Sequence, residues 1–188
     1  MSKDTDFSSA QVLGSAQVTH FQQGLRGLVP TLLKMRDEKG WAPNTWDKLG
    51  IRVASLYSEC VELELGIEEG GMRFACTELA DICMYALVML EDLWPGGWAI
   101  RSPAQRAARP THRHPAVLTQ PLRARIRAVY EHWRREQHRD TQIALEHVVL
   151  ECIYLARDHA IDLPACVHRK ITLNQARPVR HGDKNPWT

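Results

Sequence analysis

The chain has 188 residues, 44% of them hydrophobic, which is enough to bury the core of one domain. Its formal net charge of +2 is unevenly spread: ten arginines and only two acids, Glu131 and Glu136, lie between Arg101 and Arg139, so that segment carries +8 and the remainder −6. The five cysteines are odd in number and form no Cys-x-x-Cys pair, which argues against a disulfide framework and for reduced core thiols.

Residues 1–15 are polar and read as a flexible tail, with 16–188 forming one helical domain. No basic start leads into an apolar run there, so no signal peptide is expected and the default location is cytoplasmic. From Val18 to Glu38, Phe21, Leu25, Leu28, Leu32 and Met35 recur at helical spacing, with Pro30 as a candidate kink. After Lys39-Gly40-Trp41-Ala42-Pro43-Asn44, Thr45 is the expected cap of a second helix running to Glu69. Gly70-Gly71 makes a turn. A third helix from Met72 to Leu93 is apolar nearly all round, which predicts burial on several sides. Its apolar run is too short to span a bilayer, so no membrane partner is expected.

Residues 98–121, rich in Pro, Arg and His, read as a loop. Leu122 to His138 reads as a basic amphipathic helix and Thr141 to His159 as another. Asp162 caps a last helix with Pro164 in its first turn, ending near Ala176. No run alternates as a strand does. The expected fold is all-α, a bundle of four core helices plus an arginine-rich insertion at about 94–140.

The chemistry lies in the carboxylates. Glu59 and Glu62 are three apart on the second helix, and Glu78 and Asp81 three apart on the third, so each pair shares a helix face. Asp81 is the one charge between Leu79 and Leu90, and an ion so placed needs a compensating cation. Neither Met84 nor Tyr85, three and four residues on, supplies one. A metal held between two antiparallel helices meets the need. Four hard oxygen ligands select Mg²⁺, with Mn²⁺ as a substitute, and such an ion suits activating water for phosphoryl chemistry. A ferritin-like di-iron bundle is less favoured, because the second and third helices lack its Glu-x-x-His motif. Near the C-terminus, Lys170, Asn174 and Arg177 fall on one helix face, and Asn174 has both donors and an acceptor for a base edge or ribose.

The pattern Glu59-x-x-Glu62, then Glu78-x-x-Asp81, resembles the MazG-like all-α NTP pyrophosphohydrolases. The words Ser58-Glu59-Cys60-Val61-Glu62-Leu63 and Glu78-Leu79-Ala80-Asp81-Ile82 carry the likeness. So does a C-terminal block of Lys170, Asn174, Arg177-Pro178 and His181-Gly182-x-Lys184, similar to the ending of phage-type members. The resemblance implies cleavage of a nucleoside triphosphate to monophosphate and diphosphate, with Mg²⁺, in a homodimer or homotetramer. Carried over, it makes Glu59, Glu62, Glu78 and Asp81 metal ligands, with Glu59 or Glu62 also handling the attacking water. It brings Lys170, Asn174 and Arg177 to the nucleotide, and sets Lys48 and Lys184 against phosphate charge. Trp41, beside Pro43-Asn44, is a candidate to stack on the base.

The phage-like ending and an excess of arginine over lysine favour a purine deoxynucleotide such as dGTP, which is the substrate of a phage-type (d)GTP branch of the family. A dUTP or housecleaning hydrolase of non-standard nucleotides is the alternative within the class. Outside it stands a non-catalytic nucleic-acid-binding protein using the arginine-rich insertion, where Trp94, Trp98, Tyr130 and Trp133 permit stacking on bases. A P-loop NTPase is excluded by the lack of its glycine-lysine motif.

Overall fold

The computed structural model describes residues 5–100 and 114–178, with side chains from residue 16 onward. It contains six helices: α1 (Thr5–Glu38), α2 (Leu49–Gly70), α3 (Cys76–Leu93), α4 (Pro115–Trp133), α5 (His138–Asp158) and α6 (Leu163–Ala176). No strand occurs among the described residues, as the lack of alternating runs predicts. No helix is long and apolar enough to cross a membrane, among the described residues.

The helices stack in three layers. Helices α3 and α5 pack on each other in the middle, α2 and α4 pair on one side, and α1 and α6 pair on the other. The apolar α3 is buried continuously from Leu79 to Leu90, as its composition predicts. The second central helix is α5, which its sequence disguises: Gln142, Glu146 and Glu151 are buried among its apolar residues. They remain there because they are paired. Gln142 Nε2 donates to Glu146 Oε1 at 2.9 Å, the Ala99 N–H donates to the same oxygen at 3.1 Å, and Arg125 lies 3.7 Å from Glu151.

Several boundaries differ from those the sequence predicts. Helix α1 starts at Thr5, where residues 1–15 read as a tail; no proline precedes Pro30 to stop the helix, and it runs on through Pro30. Thr45 does not cap α2. Its carbonyl closes a turn with the Lys48 N–H, and Lys48 is the N-cap residue, without a side-chain bond. Helix α3 starts at Cys76, after a turn through Met72–Ala75. Helix α4 begins at Pro115, because His114 Nδ1 accepts from the Ala116 N–H and the proline sits in the first turn, where no N–H is needed. It ends at Trp133, where Glu136 takes the left-handed conformation (φ 57°) that turns the chain into α5. The described part of the arginine-rich segment is thus a core helix, with Leu118, Leu122, Ile126 and Val129 buried. Asp162 does cap α6, accepting from the Ala165 N–H at 3.1 Å.

Each of α2, α3, α5 and α6 buries one cysteine, Cys60, Cys83, Cys152 and Cys166, and no disulfide forms among the described residues. Burial pushes the Cys60 thiol up to about 12.

Candidate metal centre

Helices α2 and α3 form an antiparallel hairpin. Gly71 (φ 76°) makes the reversal, and Gly66 lets the helices close, since a Cβ there would come within 3.0 Å of the Ala75 Cβ. With Gly66 against Ala75, moving seven residues along each helix sets Glu59 opposite Asp81-Ile82. Register alone therefore brings the two acidic motifs together.

Carboxylate oxygens of Glu59, Glu78 and Asp81 lie within 4.8 Å of one another, all three residues at least partly shielded from solvent. Thr77 Oγ donates to Glu78 Oε1 at 3.0 Å and orients it. Glu62 is exposed and stands outside this triad, though near enough for its charge to act on Glu59. The ionised forms are costly here. Burial first, then Asp81, Glu62 and Glu78, pushes the Glu59 carboxyl up to about 7, with Lys170 opposing. Burial likewise pushes Asp81 up to about 6, although Lys170 hydrogen-bonds it and Arg177 also favours its charge.

That ion pair changes the account of Asp81. The cation absent from its own helix arrives from α6, where Lys170 Nζ pairs with Asp81 Oδ2, both side chains largely buried. The need for a cation is therefore met in part by protein. Three carboxylates remain against one ammonium, and the donor set, all oxygen, fits a small hard divalent ion better than a soft one. Glu59, Glu78 and Asp81 are the residues able to hold it.

The other candidates divide. Asn174 is half-buried and Arg177 exposed at the end of α6, and Arg177 acts on Asp81 through its charge. Their helix end is tied to α1: Lys39 Nζ donates to the Gln175 carbonyl at 3.0 Å and to that of Arg177. Lys48 is exposed at the start of α2. Lys184 and the His181-Gly182 word lie outside the described residues. Trp41 is half-buried and lines a narrow cleft with Leu32, Met35, Arg36, Ala42, Asn44, Met84 and Val88.

The aromatics beside the arginines are mostly engaged in packing. Trp98 is buried, its indole N–H donating to Glu91 Oε2 at 2.6 Å. Trp46 stacks on His138 with centroids 3.7 Å apart, and its carbonyl accepts from the Trp133 indole at 2.7 Å. Tyr130 remains exposed.

Three participants were not singled out from sequence. Tyr85, one turn beyond Asp81, is buried, and its phenol is held above its usual range by burial and then by Glu59 and Asp81. Arg52 is fully buried, with Tyr85 and Asp92 favouring its charge against desolvation. Asp92 gathers Asn44 and Arg36: it accepts from the Asn44 N–H at 2.8 Å and Nδ2 at 2.7 Å, and pairs with Arg36. An isolated arginine on α2 and an acid at the end of an apolar helix were the available signals, but only a long-range contact joins them.

Compared with models of known protein families, with curated proteins and with solved structures, the chain matches none.

Proposed function

We propose that the protein is a Mg²⁺-dependent nucleotide pyrophosphohydrolase, converting a (d)NTP and water to the (d)NMP and diphosphate, with Mn²⁺ able to replace Mg²⁺. The observation that carries this reading is the convergence of Glu59, Glu78 and Asp81 on one point, with Lys170 brought against them from a third helix. Carboxylates from two helices suit a hard divalent cation, and an ammonium beside them suits the phosphates that cation attracts. When bound, the ion would supply charge neutralisation on the phosphates and a more acidic water.

The chain's own groups divide the remaining work. Glu59, on α2 opposite the α3 carboxylates, is suited to take a proton from the attacking water. The water oxygen bonds to a phosphorus of the α–β bridge, the bond from that phosphorus to the bridging oxygen breaks, and the proton passes to Glu59. Glu59, Glu78 and Asp81 would hold the cation, and exposed Glu62 would act on the site through its charge. Lys170 and Arg177 take up phosphate charge, with Asn174 beside the ribose. A purine deoxynucleotide such as dGTP is the substrate class favoured by the C-terminal motif, with dUTP or non-standard nucleotides as the alternative.

A homodimer is part of this reading. On α2, Ile51, Ala54, Ser58, Val61 and Leu65 form an exposed seam spaced three and four apart. In an antiparallel pair of seams crossing at Ser58, Ile51 meets Leu65, and Lys48 meets Glu68 of the second copy.

The nucleic-acid-binding alternative is weakened by four arginines among the described residues, each of which pairs with an acid of the bundle. Arg123 pairs with Glu64, Arg125 with Glu151, and Arg134 and Arg135 with Glu131. The deciding experiment is turnover of a full NTP and dNTP panel with Mg²⁺ or Mn²⁺, products separated by ion exchange. Monophosphate plus diphosphate is expected, and is lost in Asp81→Asn. Salt-sensitive binding of DNA or RNA with no nucleotide turnover would overturn the reading.

A further inference from the structure

Two pairs of thiols meet on α3. Cys83 lies against Cys152 of α5, and Cys76 against Cys166 of α6, each pair close enough for side-chain hydrogen bonding. The pairs differ in access. Cys83 and Cys152 are both fully buried between the central helices, whereas Cys76 is half-buried at the first position of α3 with Cys166 buried beside it.

Helix register brings the second pair together without reference to the thiols. Helices α3 and α6 both end beside the C-terminal end of α1, where Asp92 pairs with Arg36 and the Gln175 carbonyl accepts from Lys39, so they run the same way. The Lys170–Asp81 ion pair fixes their stagger. Cys76 is five residues before Asp81 and Cys166 four before Lys170. Those spacings are rises of about 7.5 and 6 Å, so the two cysteines fall at nearly the same level.

We propose that Cys76 and Cys166 form a redox latch: a low-molecular-weight disulfide of the glutathione class oxidises them to a bond that ties α6 to α3 beside the Lys170–Asp81 pair. The Cys76 sulfur, the one nearer solvent, attacks one sulfur of the small disulfide. That S–S bond breaks, and its other half leaves as a thiol with the Cys76 proton. Cys166 then attacks the Cys76 sulfur, the mixed disulfide breaks, and the second small thiol leaves with the Cys166 proton. The protein loses two electrons and two protons, and the small disulfide gains them. Cys83 and Cys152 cannot begin this exchange, because no reagent reaches either sulfur while the bundle is closed. The latch does not depend on the nucleotide reading; it acts on the helix that carries Lys170.

The test is peptide mapping of the full chain after incubation with oxidised glutathione, digested without reduction. Wild type should lose two of its five thiols to one crosslinked pair of peptides holding Cys76 and Cys166, with no crosslink between chains on a non-reducing gel. Dithiothreitol should restore all five. Hydrogen exchange of the α6 amides should slow in the oxidised protein and recover on reduction. Cys166→Ser should stop at a glutathione adduct on Cys76, and Cys76→Ser should take up no glutathione at Cys166. A lasting adduct on Cys76 of wild type, with Cys166 still free, would show the sulfurs too far apart and overturn the latch. So would a crosslink between chains, equal oxidation of Cys83 with Cys152, a crosslink that leaves α6 exchange unchanged, or no reaction at all. If Cys166→Ser does not fold, the wild-type map and Cys76→Ser decide between these outcomes.

Discussion

Glu59 sits among like charges, and that has a measurable cost. Its carboxyl ionises near 4.5 in the unfolded chain and at about 7 in the fold. Above pH 7 the folded protein must hold a charge that burial and its neighbours oppose, so ionised Glu59 is destabilising there. Below about 4.5 the group is protonated in both states and the penalty vanishes. In EDTA at pH 8, Glu59→Gln should therefore be more stable than wild type by about 1–2 kcal/mol, after discounting for partial exposure. The advantage should shrink as pH falls from 7 toward 4.5. Urea unfolding at three pH values checks this, and an advantage that did not vary with pH would show that Glu59 is not in the cluster's field. Mg²⁺ at pH 8 should reverse the order, because the cation binds the folded wild type and lacks one ligand in the variant.

At the scale of the helix, glycines separate local preference from packing. Gly27 on α1 has nothing within 4 Å of the place its Cβ would occupy. Gly27→Ala should thus stabilise by about 0.5–1 kcal/mol, the ordinary helix preference for alanine. Gly50 on α2 lies under the Trp133 ring, where a Cβ would approach to 2.5 Å. That ring cannot easily yield, since its N–H is bonded to the Trp46 carbonyl. Gly50→Ala should cost about 1–3 kcal/mol from overpacking, enough to outweigh the same helix gain. Thermal melts of the two variants should move in opposite directions. Sequence and structure part company at this same scale. Apolar spacing and turn residues suffice to find α2, α3 and α6, because those signals are local. The start of α4 was displaced from Leu122 to Pro115 because His114-Pro115 starts a helix inside a stretch whose composition reads as loop. The two acidic motifs were legible because hairpin register follows from one short turn. Lys170 on Asp81, and Asp92 on Asn44, were not legible as contacts, since each joins residues that only the packed bundle brings together.

At the scale of the bundle, the described residues leave one side of α2 without a neighbour among themselves, and it is the side bearing the seam from Ile51 to Leu65. Two copies packed through it would share an isologous contact in which each contributes the same residues. Sedimentation equilibrium should give a dimer at micromolar concentration and a monomer for Val61→Glu with Leu65→Glu. Wild type sedimenting as a monomer would remove the dimer from the proposed function without touching the triad. The charge division along the chain also resolves at this scale. The described part of the basic segment does not form a separate layer: its helix buries Leu118, Leu122, Ile126 and Val129, and several of its arginines bind acids of α2, α4 and α5.

The distribution of thiols gives the bundle a built-in reporter. Cys60, Cys83, Cys152 and Cys166 place one buried sulfur on each of four helices. Burial holds Cys60 up to about 12 and Cys166 up to about 11, the latter with Cys76 contributing, so these two carry little reactive thiolate at neutral pH, and all four sulfurs are shielded from reagent while the helices stay packed. A brief pulse of iodoacetamide followed by peptide mass spectrometry would then mark each helix only when it exposes its cysteine. The order in which the four peptides become alkylated would give the sequence in which the layers come apart, with no engineered label needed.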